Sequence, residues 1–207
     1  MGPRRDRLRE LVGEDGFASA RRTTVNAHYT HPAIAREIWR LAGELGFEHG
    51  RVLEPGCGAG VFIGTAPPDA QITGVERDDM TATIAQLLYP DTRIIARSFA
   101  AADRTPDGSY DLVIGNVPFA DVRLHDPRHN PHGHAIHNHF IVKSLHLTRP
   151  GGLVLVLSSR FTLDAANPAA RREIGASPAP KSATCSAATR KPARSIARSP
   201  SSKKPAA

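Results

Sequence analysis

The spacing of apolar residues changes period several times along the chain, and each change marks an element. In "RRDRLRELVG" Leu8, Leu11 and Val12 fall on one side of a short basic helix that Gly13 or Gly16 can end. In "TTVNAHYTHPAIAREIWRLAGELGF" Ile34, Ile38, Leu41 and Leu45 recur at helical spacing up to Gly46. Thr30 or His31 is placed to cap that helix, and Pro32 suits its first turn. The period then shortens. "RVLE" reads as a strand from Arg51 to Glu54, followed by a glycine-rich turn and a helix start. "AQITGVERD" is a second strand ending at Glu76, and "MTATIAQLLYP" is a helix stopped near Pro90. "TRIIARSF" and "YDLVIGN" are the third and fourth strands. "HAIHNHFIVKSLHLTRP" is a helix, and "GGLVLVLSS", introduced by Gly151 and Gly152, is the fifth strand. Strands alternating with helices predict an α/β fold: an open, mostly parallel sheet covered by helices on both faces.

After "NPAARREI" the periodicity stops. From Gly175 to Ala207 the chain holds nine Ala, seven Ser and five Pro, and seven Lys or Arg with no acid. The expected organisation is an amino-terminal helical extension (1–22), one catalytic-size domain (23–174) and a disordered basic tail (175–207). The sheet is expected to lack its last strands, leaving an open edge beside the fifth. The tail accounts for the whole net charge of +7, since the first 174 residues carry twenty charges of each sign. Such a tail suits weak polyanion binding, or is equally an unselected end of a longer protein. Two cysteines far apart, no export signal and no long apolar run predict a reducing cytoplasmic setting without membrane contact.

The strand ends carry the chemistry. In "EPGCGAG" Gly56, Gly58 and Gly60 allow a tight turn and close ligand approach, and the helix start behind them offers free N–H groups to an anion. Glu76 follows at the end of the second strand, where a carboxylate can accept both hydroxyls of a ribose. Loop and acid in this order suit a nucleoside cofactor, and the loop lacks the G-x-G-x-x-G spacing of a dinucleotide site. At the end of the fourth strand stands "NVPF", Asn116 to Phe119.

The glycine loop with Glu54 and Pro55 before it, and Glu76 at the matching acid position, resembles motif I of S-adenosylmethionine-dependent methyltransferases. "NVPF" resembles the D/N-P-P-Y/F motif of amino methyltransferases acting on adenine N6 or cytosine N4. "NAHYTHP" is similar to the motif that precedes the glycine loop in adenine-N6 DNA methyltransferases of the gamma order. The resemblance spans roughly residues 23–174, and Val117 departs from it in replacing the first proline. It implies a Rossmann-like methyltransferase sheet binding S-adenosyl-L-methionine through Tyr29, Thr30, Glu54, Pro55, Gly56, Gly58, Gly60, Glu76, Ser98, Phe99 and Asn116. It implies methyl transfer to adenine N6 in DNA by Asn116, Val117, Pro118 and Phe119.

In that reading the Asn116 side-chain oxygen and the Val117 carbonyl accept the two N–H bonds of the amine, Pro118 aims the carbonyl, and Phe119 stacks on the extruded base. Partners implied are DNA, with RNA as runner-up, and a specificity subunit or carboxy-terminal domain completing a larger modification protein. Ribosomal-RNA adenine dimethyltransferases carry an Asn-x-Pro-aromatic motif that "NVPF" also fits. A non-catalytic cofactor-binding remnant is the alternative from another class. The histidines of "RLHDPRHNPHGHAIHNHF" predict no metal site, having no cysteine near them. They are expected in a mobile lid over the substrate, with some capping the next helix. Cys57 is expected to pack beneath the cofactor as a small residue without a nucleophilic role.

Overall fold

The computed structural model describes residues 6–7, 9–10, 13–18, 29–101, 105–158, 162, 168–176 and, as backbone, 181–186. Its labelled elements are α1 (Pro32–Glu44), β1 (Gly50–Pro55), β2 (Ala70–Glu76), α2 (Asp79–Leu88), β3 (Arg93–Ala96), β4 (Tyr110–Asn116), α3 (Ile136–Leu147), β5 (Thr148–Ser158), α4 (Ala169–Ala176) and β6 (Lys181–Ser186). Residues 6–7, 9–10 and 13–18 are also helical, while Leu8, Leu11 and Val12 of the expected amino-terminal stripe lie outside the described residues.

Strand alternation builds the core on both faces of the sheet. Val52, Leu112, Ile114, Leu153, Leu155 and Leu157 face one side with Ile38 and Trp39 of α1. Leu53, Val113, Val154 and Val156 face the other with Phe140, Ile141 and Leu145 of α3. Successive side chains of one strand thus enter different cores, as the two-residue period requires. The strand order is β3-β2-β1-β4-β5-β6, every pair parallel. The order reverses between β1 and β4, and in sheets wound this way the crevice at the carboxyl ends of those two strands receives the ligand.

Three expectations change. The buried stripe of α1 is Ala35, Ile38, Trp39 and Ala42, with Ile34 and Leu45 exposed. Two alanines bring the helix close to the sheet, and the Trp39 ring fills the remaining gap and donates from Nε1 to the Phe62 carbonyl at 2.9 Å. The cap is His31, whose Nδ1 accepts the Ala33 N–H at 3.2 Å.

The fifth strand begins at Thr148, before the predicted Gly151, and its pairing with β4 jumps from Tyr110↔Thr148 to Leu112↔Leu153. The extra residues are accommodated because Gly152 has no side chain: a Cβ there would meet the Asp111 carbonyl at 2.7 Å.

Finally, residues 181–186, placed by composition in a disordered tail, form β6 against β5 over six register pairs. The edge beside β5 is therefore covered, because strand pairing uses backbone groups that Ser, Ala and Thr supply as well as larger residues do.

Candidate active site

β1 ends at the switch point, and the glycine turn begins there. Gly56, Gly58 and Gly60 have φ of 71°, 55° and 85°, a region unfavourable to residues with a Cβ. The N–H groups of Gly56 and Cys57 donate to the Val75 carbonyl at 2.8 and 3.0 Å, fastening the turn to β2. Glu76 completes the fastening: Oε2 accepts the Gly58 N–H at 2.9 Å and Oε1 the Asp78 N–H at 2.8 Å. Each carboxylate oxygen keeps a second lone pair for another donor such as a ribose hydroxyl. The expected helix after the turn is a single 3-10 turn, Ile63–Thr65, followed closely by Pro67 and Pro68.

Glu54, 2 % exposed, lies at the end of β1 and accepts the N–H groups of Phe62 and Ile63. Its Oε2 has no hydrogen-bond partner among the described residues. Burial, and then the neighbouring Glu76 carboxylate, push the Glu54 carboxyl well above the usual range. Cys57 packs its sulfur where a Cβ on Gly74 would stand, 2.8 Å away. Burial first, then Glu54 and Glu76, raise its thiol pKa, so it carries little thiolate.

The fourth strand brings "NVPF" to the same place. A Cβ on Gly56 would lie 3.7 Å from the Phe140 ring and 3.9 Å from both the Asn116 carbonyl oxygen and Pro118 Cδ. The glycine turn and the candidate catalytic segment are thus neighbours across β1 and β4. Asn116 is half-buried with its Oδ1 shielded from solvent. The Val117 side chain is buried, and its N–H donates to the Leu157 carbonyl at 3.1 Å, extending the sheet one residue past β4. Pro118 and Phe119 are half-buried, Phe119 against the α3-side core.

Other expected residues stand differently. Tyr29 is 69 % exposed ahead of α1 and is not packed into the crevice; Thr30 beside it is half-buried, and Asn26 to His28 lie outside the described residues. Ser98 is half-buried after β3. The Phe99 ring, expected against a cofactor adenine, is 3 % exposed and packs on Phe140 with centroids 4.7 Å apart, so the core has taken it.

The histidine-rich segment is braced by buried polar contacts, which a mobile lid would lack. Asp126 Oδ2 accepts Lys143 Nζ and His139 Nε2, each at 3.0 Å, and Oδ1 accepts the His129 N–H at 3.1 Å. His129 and His134 reach Asp107 and Glu173 at 3.0 and 2.7 Å. Burial first, against the partial opposition of Asp107 and Asp126, lowers the pKa of His129 and His139. His125 and His132 are exposed. Among the described residues no group of three or more His, Cys, Asp or Glu side chains is placed to hold a metal ion, and no helix is long and apolar enough to cross a membrane. The sequence signal for the bracing is Lys143, a lone cation inside the apolar run "FIVKSLHL". Tyr89, whose ring packs on Gly60 and Gly64, was equally unsignalled.

The residues present fit a cationic nucleoside. Among the described residues nothing lies within 4 Å of a Cβ placed on Gly58. Glu76 stands beside Gly58, and at the end of β1 the buried Glu54 Oε2 has no partner among the described residues. A cavity of about 340 Å³ lies elsewhere, at the amino ends of the strands between Phe47, Gly50, Asp111, Arg149 and Leu153.

No protein-family model matches the chain. It is 31 % identical over 153 residues to the defense against restriction protein B of Escherichia phage P1, an alignment covering 72 % of this chain and 7 % of that protein. The chain therefore spans a small fraction of the length of the curated relative it matches. Similar solved structures include TrmN from Thermus thermophilus, at 21 % identity and TM-score 0.49 over 69 % of this chain and 40 % of that one. Phosphoethanolamine N-methyltransferase 2 of Haemonchus contortus gives 16 % identity and TM-score 0.44, over 58 % and 27 %. Geranyl diphosphate C-methyltransferase of Streptomyces coelicolor gives 12 % and 0.43, over 58 % and 41 %. By its own strand order and helical cover the chain has an open, parallel Rossmann-like fold, and the Haemonchus and Streptomyces structures similar to it are methyltransferases.

Proposed function

We propose that this chain is an S-adenosylmethionine-dependent methyltransferase acting on the exocyclic N6 amine of adenine in DNA. The observation that carries the reading is the contact of the glycine turn with "NVPF" at the switch point, Gly56 lying against Asn116 and Pro118. When bound, S-adenosylmethionine supplies an electrophilic methyl carbon on a sulfonium. The protein's part is placement and charge stabilisation. The glycine turn and Glu76 hold the nucleoside end. Asn116 Oδ1 and the Val117 carbonyl accept the two N–H bonds of the amine, favouring the charge that develops on its nitrogen. Pro118 restricts Val117 to extended angles, and Phe119 offers a face to an unstacked base. A relative named for defense against restriction supports DNA as the acceptor, since methylated adenine is a chemical means of masking a restriction site.

The test is transfer of labelled methyl groups from S-adenosylmethionine to unmethylated duplex DNA and to undermodified ribosomal RNA, with Asn116→Ala and Glu76→Ala alongside. Incorporation as N6-methyladenine in DNA, abolished in Asn116→Ala, is the expected result. Incorporation into RNA alone would move the assignment to the ribosomal-RNA adenine enzymes, whose Asn-x-Pro-aromatic motif "NVPF" also fits. Cofactor binding without transfer to either would leave a non-catalytic subunit.

A further inference from the structure

We propose that the buried Asp126–Lys143 pair is a positioning strut, fixing the segment after the catalytic motif relative to the end of β3. The inference rests on the function proposed above and adds two residues to it. Lys143, 1 % exposed on α3, directs its ammonium at three acceptors: the Phe99 carbonyl at 2.7 Å, Asp126 Oδ2 at 3.0 Å and the Ala100 carbonyl at 3.4 Å. Those acceptors belong to two places that must hold register for transfer. Phe99 and Ala100 follow the carboxyl end of β3, and Asp126 belongs to the segment that leaves Phe119.

Asp126, 6 % exposed, also takes His139 and the His129 N–H, so the carboxylate gathers donors from α3 and from its own loop. Further stations secure the same loop. His129 and Arg128 reach Asp107 before β4, Asn130 bonds the carbonyls of Leu124 and His134, and His134 reaches Glu173 of α4. Replacing a buried ion pair by apolar residues of similar volume is often neutral or stabilising. Stability alone therefore gives no reason for a lysine in the middle of an apolar helix face, whereas a directed ammonium with three fixed acceptors sets geometry.

The test compares the full chain with the double variant Asp126→Leu/Lys143→Met. Three quantities are measured: calorimetric affinity and stoichiometry for S-adenosylmethionine, the single-turnover rate of methyl transfer at saturation, and amide hydrogen exchange. The strut predicts cofactor affinity within threefold of the parent at unchanged stoichiometry and a transfer rate at least tenfold lower. It also predicts exchange at least tenfold faster in residues 121–135, with β1, β4 and β5 unchanged. A merely structural role would instead lower stoichiometry and rate together. Parent-like rate and exchange in a folded double variant would overturn the proposal. If the parent transfers no methyl group, the functional reading fails and the exchange result alone judges the strut. Should the double variant not unfold cooperatively, the near-isosteric Asp126→Asn is read by the same exchange and rate criteria, with at least a threefold effect expected in each.

Discussion

Gly60 and Gly58 occupy the same turn with similar backbone angles, yet the structure assigns their replacement different costs. At both, alanine is forced to positive φ, 85° and 55°, which costs about 1–2 kcal/mol. At Gly60 the added Cβ meets Tyr89 Cε2 at 2.5 Å, Tyr89 Cδ2 at 2.9 Å and Ile63 Cδ1 at 3.2 Å, whereas at Gly58 no atom of the described residues lies within 4 Å. Overpacking of that kind adds about 1–3 kcal/mol. Gly60→Ala should therefore lose about 2–5 kcal/mol, a fall in Tm of about 4–20 °C for a domain this size, and Gly58→Ala about 1–2 kcal/mol. Since the two ranges touch, the decisive assay is a double-mutant cycle with Tyr89→Ala, read by denaturant unfolding. Removing the ring should relieve Gly60→Ala by about 1 kcal/mol or more and leave the cost of Gly58→Ala unchanged within about 0.5 kcal/mol. Gly58→Ala, in turn, should weaken the proposed cofactor binding at least tenfold, because its methyl group projects from the turn beside Glu76. Equal coupling of Tyr89 to both positions, or none at Gly60, would refute the packing argument.

Glu54→Gln tests the buried carboxyl. An acid whose folded pKa is raised stabilises the fold below its unfolded value and loses that contribution as pH rises toward the folded one, so the Tm advantage of the glutamine variant should grow as pH rises above about 4, the unfolded value. At Asp126 burial alone would raise the pKa, but Lys143 and His139 outweigh it and hold the carboxyl at about 2. Its contribution is therefore complete above about pH 4, the unfolded value, and is lost as pH falls toward 2; Asp126→Asn should flatten the acid limb of Tm against pH in that window. Trp39→Phe removes the 2.9 Å indole donor from the Phe62 carbonyl, which keeps two longer bonds from the Thr65 N–H and Oγ1 at 3.4 Å, and should cost about 0.5–1.5 kcal/mol in chemical denaturation; a change below about 0.2 kcal/mol would mean that those bonds compensate fully.

Several features were decided by local chemistry and were legible in the chain itself. Leu112 to Ile114 and Leu153 to Leu157 read as buried strands because continuous apolar runs suit a sheet covered on both faces. The glycine turn was readable because positive φ at Gly56, Gly58 and Gly60 is open to glycine at little cost, and Glu76 because a strand-end acid opposite such a turn has donors waiting.

Tertiary structure alone decided features that depend on which partner a side chain meets. The α1 face turned toward Ala35, Trp39 and Ala42 because close approach to the sheet favours small residues and one large ring over the more hydrophobic Ile34. Phe99 went to the core because Phe140 lies 4.7 Å away across a gap no spacing rule describes. The histidines became braces because Asp107, Asp126 and Glu173, distant in sequence from one another, surround them. β6 joined the sheet through backbone bonds, to which composition is nearly blind. Periodicity records how a segment divides apolar from polar surface. The identity of the neighbour across the gap follows from the packing of the whole chain.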